Sequence, residues 1–122
     1  MDSLLLILAA LIAFGGAVFH GWFGGKLYMS HITESHLIPL MQSVSLVSWH
    51  MFTIFLVVSG ATLICVAMKP ELALLSYPIL MGNALGAALF LLLSAMGHAP
   101  LLKMPGMYLM LLTALLGWLG VN

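Results

Sequence analysis

Charge is what this sequence has least of. It has no arginine, three lysines and three acidic residues in 122 positions. No basic patch can form to neutralise phosphates, so nucleic acid is excluded as a partner. The single cysteine, Cys65, excludes an intrachain disulfide and any zinc or iron–sulfur site built from several cysteines. The sparse acids Asp2, Glu34 and Glu71 give no Ser-His-Asp arrangement, which favours binding over catalysis.

Apolar residues take up most of the chain. Hydrophobic residues make up 64% of it, and the mean hydropathy is +1.24. A soluble domain of this size cannot bury so much apolar surface, so the expected solvent is a lipid bilayer. We expect an integral protein of the bacterial inner membrane. Only Asp2 is charged before Lys26, whereas a signal peptide begins with positive charge, so the first apolar run is expected to be retained as a helix.

Four apolar runs separated by polar breaks predict an all-α fold. We expect one domain over residues 1–122, an integral membrane up-down four-helix bundle. The predicted helices cover residues 3–24, 43–68, 71–96 and 107–120. Between the first two helices, residues 26–42 mix polar and apolar side chains, which predicts a short interfacial segment. Lys26 and Lys103 fall on the side opposite Lys69, so the positive-inside rule predicts a cytoplasmic connection between helices 1 and 2.

Small and polar residues predict which helix faces point inward, because helix association in lipid depends on close packing and polar contacts. In helix 1, Gly16 and His20 share a stripe. In helix 2, Ser43, His50, Thr53 and Gly60 fall on one stripe at heptad-like spacing. The expected packing and polar support residues are Gly16, Trp49, Thr53, Gly82, Asn83 and Gly86.

The histidines form the candidate site. His20 and His50 lie within apolar helices, where an ionisable side chain is costly and marks a functional site by default. Imidazole is the commonest ligand for zinc, copper and iron, including haem iron. The sequence therefore predicts a cofactor site at His20 and His50, with a transition metal or haem as the candidate cofactor. His98, expected near the same membrane face, is a third candidate metal ligand.

Less specific interpretations stand beside this one. Inward histidines often only hydrogen-bond across a helix interface, here to Ser43, Thr53 or Asn83. The loop histidines His31 and His36 match no metal motif and are expected to be solvated. Three methionines at a spacing of three, Met104, Met107 and Met110, suit Cu(I), but methionine is also an ordinary filler of apolar cores, which we prefer.

Short motifs also suggest a family. Four stretches carry them in order: Phe19–Lys26, Leu37–Leu40, Trp49–Thr53 and Lys103–Gly106. Together they resemble a group of small bacterial four-span membrane proteins. Those proteins have a histidine followed by Ser and then Gly-Glu after helix 1, a Trp-His pair in helix 2, and a last helix that begins at proline. In this sequence Gly21 stands in place of the Ser, and Lys26 stands in place of the Glu. The resemblance implies a role for His20, Trp49 and His50 and implies no activity.

A second set of residues resembles a different group. His20-x-Trp22-x-x-Gly25, followed by Tyr28 and His31, is similar to haem-associated small membrane proteins of the copper-resistance and protoporphyrinogen-oxidase type. The spacing is compressed relative to those proteins. This resemblance implies association with haem.

Three functions are therefore compatible with the sequence. The leading hypothesis is a membrane binding or accessory subunit with a His20/His50 site near one membrane face. The first alternative is a purely structural subunit of a larger membrane complex or homo-oligomer, whose lipid-facing apolar residues a partner covers. The second is a small proton-coupled transporter or membrane enzyme that uses one of the two histidines for proton exchange.

Overall fold

The computed structural model describes residues 1–122 and is all-helical, with no strand. Its helices are α1 (Ser3–Thr33), α2 (Pro39–Met68), α3 (Pro70–Ala95) and α4 (Pro105–Val121). The first six residues of α3, Pro70–Leu75, form a 3-10 turn, and another 3-10 turn, Ala99–Lys103, precedes α4. By length and composition, α1, α2 and α3 are long and apolar enough to cross a membrane, whereas α4 is shorter, at 17 residues.

Local sequence explains where the helices begin. The Asp2 carboxylate accepts hydrogen bonds from the backbone N–H groups of Leu4 and Leu5, and so caps α1. The backbone N–H of Asp2 also donates to the Gly120 carbonyl at 2.7 Å, so the start of α1 and the end of α4 lie together. Both α2 and α4 begin at a proline, whose fixed φ suits the first helical turn.

The connection between α1 and α2 differs from the prediction. We expected helix 1 to end at residue 24, but α1 continues to Thr33 through a π-helical stretch, Phe19–Met29. Helix 2 begins at Pro39 rather than at residue 43. Only residues 34–38 remain as a link, so most of the expected interfacial segment is helix. Of the two glycines that suggested a break, Gly24 instead allows close packing of α1 against Trp49 of α2.

Packing is uneven around the molecule. Helix α1 packs along α2 and α4, and α4 packs along α3, while the α2–α3 contact is sparser. The core has two clusters. One lies around Leu6, Leu63 and Leu80. The other, which contains Met107 and Met110, lies next to the site described below.

The Gly82-x-x-x-Gly86 motif packs within the chain. A Cβ on Gly82 would lie 2.9 Å from the ring of Phe55 in α2. A Cβ on Gly86 would overlap the methyl group of Met110 in α4. Gly82 thus allows α3 to pack closely against α2, and Gly86 allows it to pack closely against α4. Met110 lies in the core.

Asn83 is fully buried between α2 and α3. Its Nδ2 donates to Ser59 Oγ at 3.1 Å and to the Ile79 carbonyl at 2.9 Å, while Oδ1 has no hydrogen-bond partner in the chain. A buried acceptor without a partner is destabilising, which offsets the two bonds that the amide donates. Asn83 therefore connects α2 and α3 at little net gain in stability.

This balance gives a prediction. Asn83→Leu should change the free energy of unfolding by less than about 1 kcal/mol, because the lost bonds and the removed orphan acceptor nearly cancel. Asn83→Asp keeps the shape, but a carboxyl buried there takes up a proton and then has one O–H donor where the amide donates two hydrogen bonds, so it should cost more than about 2 kcal/mol. Unfolding by sodium dodecyl sulfate in mixed micelles measures both values. Equal losses in the two variants would contradict this explanation.

Candidate functional site

His20 lies in the π-helical stretch of α1, half-buried against α2. Its Nδ1 lies 2.9 Å from Thr53 Oγ1. Its ring stacks on Trp49, with centroids 4.0 Å apart and an interplanar angle of 16°. The ring of Phe52 meets it edge-on at 4.8 Å. Three side chains of α2 thus fix the orientation of the imidazole.

Trp49 also holds the backbone of α1. Its indole Nε1 donates to the His20 carbonyl at 3.1 Å, which satisfies the one polar group of a half-buried tryptophan. Short π-helical insertions often occur at functional sites, and here the π-helical stretch carries the histidine. Trp49 and Thr53, both predicted as supporting residues, do contact His20.

Gly24 allows this close approach. A Cβ at Gly24 would lie 2.7 Å from Trp49 Cζ2, closer than side chains tolerate, whereas a Cβ at Gly25 would lie 3.9 Å from Trp49 Nε1. The two neighbouring glycines therefore differ in function. Gly24 is required by the packing of Trp49, and Gly25 is not.

A matched pair of variants tests the difference. Gly24→Ala should lower the free energy of unfolding by about 1–3 kcal/mol, because the added methyl group displaces Trp49 from His20. Gly25→Ala should be neutral or stabilising by up to about 1 kcal/mol, because alanine favours helix over glycine. Detergent unfolding monitored by circular dichroism distinguishes them. A similar loss in both variants would show that Trp49 does not pack as described.

A cavity of about 400 Å³ lies beside His20, between the four helices. Its wall is almost entirely apolar and aromatic. His20 and Tyr28 are the only lining residues with a free polar side-chain atom, since the Trp49 N–H is bonded to the His20 carbonyl. The 17 lining residues are Gly16, Phe19, His20, Gly24, Tyr28, Trp49, Phe52, Leu56, Gly86, Leu89, Phe90, Leu101, Met104, Pro105, Gly106, Leu109 and Met110.

A second, more open cleft of about 600 Å³ lies between the end of α1 and the start of α2. Polar residues His31, Ser45 and Ser48 line it. The cleft and the cavity share four lining residues, which are His20, Tyr28, Trp49 and Phe52. His20 therefore stands in the wall between this open cleft, which contains some polar side chains, and the apolar cavity.

His50 does not join His20 at the cavity. The prediction of an inward-facing His50 is wrong, because its side chain is exposed, as is that of Ser43. Heptad-like spacing drifts around a straight α-helix by roughly 20° per heptad. The stripe of α2 that faces α1 instead runs through Trp49, Thr53 and Leu56 to Gly60, at steps of four, three and four.

None of the other histidines lines the cavity either. His98 is exposed in the turn before the 3-10 segment of residues 99–103, and His31 and His36 are exposed as expected for solvated histidines. Nowhere do three or more His, Cys, Asp or Glu side chains converge to hold a metal ion. His20, His50 and His98 therefore do not form one ligand set.

Several cavity residues were missed by the sequence analysis. Tyr28 and Phe52 belong to stretches that carry the family resemblances, but neither was predicted as a site residue, although Phe52 follows Trp49 by about one helical turn on the same face of α2. Phe90 reaches the cavity from α3, Leu101 from the connection between α3 and α4, and Gly106 from α4. Only the assembled helices bring these positions together.

Comparison with known proteins finds no family model, curated protein or solved structure that matches this chain.

Proposed function

We propose that this chain is a small integral membrane binding or accessory subunit whose ligand occupies the cavity beside His20. The observation that carries the proposal is an imidazole held in one orientation at the wall of an otherwise apolar cavity. A volume of about 400 Å³ falls within the range of small-molecule sites, which are mostly apolar with a few placed polar groups. Nδ1 is occupied by Thr53, so Nε2 is the atom left for a ligand.

The surface supports a membrane location. Large apolar side chains are exposed along every helix, including Leu11 at 59%, Ile54 at 54%, Leu85 at 63% and Leu115 at 52%. Water would not tolerate so continuous an apolar surface, whereas lipid does. We propose that all four helices cross the bilayer as an up-down bundle, since 17 residues suffice for α4. On the distribution of lysines, we propose a bacterial inner membrane protein with a cytoplasmic α1–α2 connection.

The donor set limits which cofactors fit. Zinc prefers four nitrogen, sulfur or oxygen ligands, and the cavity offers one imidazole and no carboxylate or thiolate. Met104 and Met110 line the same cavity, and imidazole with thioether is a donor set that suits Cu(I) or haem iron. If either is bound, His20 with one of these methionines would hold it. Haem would supply an absorbing, redox-active centre, and Cu(I) a redox-active metal.

Bound molecules in purified protein test the proposal. The wild type, His20→Leu and His98→Leu should be purified in mild detergent and compared by optical spectrum, elemental analysis and native mass spectrometry. We expect a bound species in the wild type and in His98→Leu, and its loss in His20→Leu. The proposal would be contradicted if the purified wild-type protein carried no bound species and did not take up haem, Cu(I) or any component of a bacterial lipid extract.

A second candidate function is proton-coupled transport or membrane enzymology. The observation that favours it is the position of His20 in the wall shared by the open cleft, which His31, Ser45 and Ser48 line, and the apolar cavity. A histidine there can exchange a proton between the two sides. Liposome flux that depends on pH in the wild type and not in His20→Leu would support this candidate. The structural-subunit alternative stays a proposal that rests on the exposed apolar residues, because the Gly82 and Gly86 face is covered by Phe55 and Met110 of the same chain.

A further inference from the structure

We infer that the cavity accepts a lipid-soluble molecule with a planar ring and a hydrogen-bond-accepting carbonyl oxygen, which is the chemistry of a quinone headgroup. This inference rests on the proposed function, because it names the ligand class of the same cavity. Three features of the site lead to it. They are the hydrogen on His20, the lining of the cavity, and its opening between helices.

The hydroxyl of Thr53 decides where His20 carries its hydrogen. Thr53 Oγ1 lies 2.9 Å from His20 Nδ1 and 3.5 Å from the Trp49 carbonyl. A hydroxyl has one hydrogen, and its contact with Nδ1 is much the shorter of the two, so we assign that hydrogen to the bond with Nδ1. The hydrogen of the neutral imidazole is then on Nε2. In this tautomer His20 offers a hydrogen-bond donor to the cavity.

The cavity lining selects an uncharged acceptor. The phenol of Tyr28 is the second polar group of the wall and can also donate. No acidic or basic side chain other than the imidazole lines the cavity, so neither a cationic ligand nor an anionic headgroup finds a charged partner there. Phe52 and Phe90 supply aromatic surface, on which a planar ring packs better than a flexible chain. The carbonyl oxygen of a quinone can accept hydrogen bonds from His20 and Tyr28, the two donors in this wall.

The side of the cavity between α2 and α3 offers a route to lipid. Those two helices make the sparsest contact between neighbours in the molecule. Leu89 of α3 lines the cavity and is also 52% exposed, so the cavity reaches the apolar outer surface beside it. A molecule dissolved in lipid can pass sideways through such an opening, and its apolar tail can remain there in contact with lipid.

Fluorescence of Trp49 provides the test. The chain has three tryptophans, and Trp22 and Trp118 are more than half exposed, so both can be replaced by Phe to leave Trp49 as the only indole. The probe is decyl-ubiquinone, titrated into this protein in nanodiscs. Binding at the cavity gives saturable quenching, whereas collisions in the bilayer give quenching that rises linearly. Decylbenzene, which has the same tail and no carbonyl, should not displace the probe.

The variants complete the design. In the same background, His20→Leu should weaken decyl-ubiquinone binding about 5–10-fold, because it removes one hydrogen bond in an apolar site. His98→Leu should leave binding unchanged. Gly106→Leu fills the cavity from α4, where a Cβ has an ordinary 3.7 Å contact with Phe90, and should abolish saturation without unfolding the protein. It keeps the test valid if His20→Leu does not fold.

The failures can be told apart. Linear quenching, displacement by decylbenzene, or unchanged affinity in both His20→Leu and Gly106→Leu would overturn the inference. Uptake of haem or Cu(I) that depends on His20, without quinone binding, would overturn the inference and leave the proposed function standing. Failure to bind haem, Cu(I), the quinone and lipid extract alike would overturn both.

Discussion

Trp49→Ala is expected to lower the free energy of unfolding by about 3 kcal/mol. The indole stacks on His20 at 4.0 Å, donates to the His20 carbonyl at 3.1 Å and fills the space above Gly24. Alanine removes all three contacts and leaves a hole where α1 and α2 are closest. The free energy can be measured by titration with sodium dodecyl sulfate in mixed micelles.

Trp118→Ala is the matched control. Trp118 is 53% exposed, and its one aromatic pair is with Tyr77, edge-on at 5.7 Å. Its loss should therefore cost no more than about 1 kcal/mol. If the two alanine variants were equally unstable, Trp49 would be an ordinary surface tryptophan rather than the clamp on His20.

Gly106→Leu should separate ligand binding from stability. The residue lies in the first turn of α4 and lines the cavity, and a Cβ there meets Phe90 at an ordinary 3.7 Å. The rest of a leucine side chain extends into the cavity and takes up space that the ligand needs. We expect binding to fall at least about 10-fold, while the free energy of unfolding stays the same or rises by up to about 1 kcal/mol.

Gly15→Leu adds the same side chain elsewhere. Gly15 is exposed on α1, and a Cβ there has nothing within 4 Å. Both variants should be tested for native ligand retention by mass spectrometry and for stability in detergent. Full retention in Gly106→Leu would mean that the ligand does not occupy this cavity. Equal loss in both variants would attribute the effect to leucine on a helix rather than to the filled space.

Sequence patterns predicted the helical, apolar character of the chain because those properties depend on composition and run length alone. They also grouped His20, Trp49 and Thr53, which the structure brings into contact. The Gly24-Gly25 pair was misinterpreted as a helix end. The sequence does not distinguish a glycine that ends a helix from a glycine against which a tryptophan packs. Only the position of Trp49 in the structure shows that Gly24 is of the second kind.

The error over His50 has a geometric origin. His50 follows Trp49 directly, so the two side chains point about 100° apart on α2. A stripe drawn at heptad-like spacing selected His50, whereas the observed stripe of half-buried and buried residues passes through Trp49 and Leu56. The cavity could not be predicted at all, because its lining comes from all four helices. Its existence depends on how far apart the helices pack, which no local pattern encodes.

An experimental structure of the wild-type protein in nanodiscs made from native lipid is the most direct test that the His20 cavity binds a ligand. The proposed function predicts non-protein density inside the cavity, with one atom about 2–3 Å from His20 Nε2, the range from a metal–imidazole bond to a hydrogen bond. The further inference predicts in addition that this density is a flat ring with a tail that leads between α2 and α3. A cavity closed by its own aromatic side chains, with no density at Nε2, would contradict the proposed function.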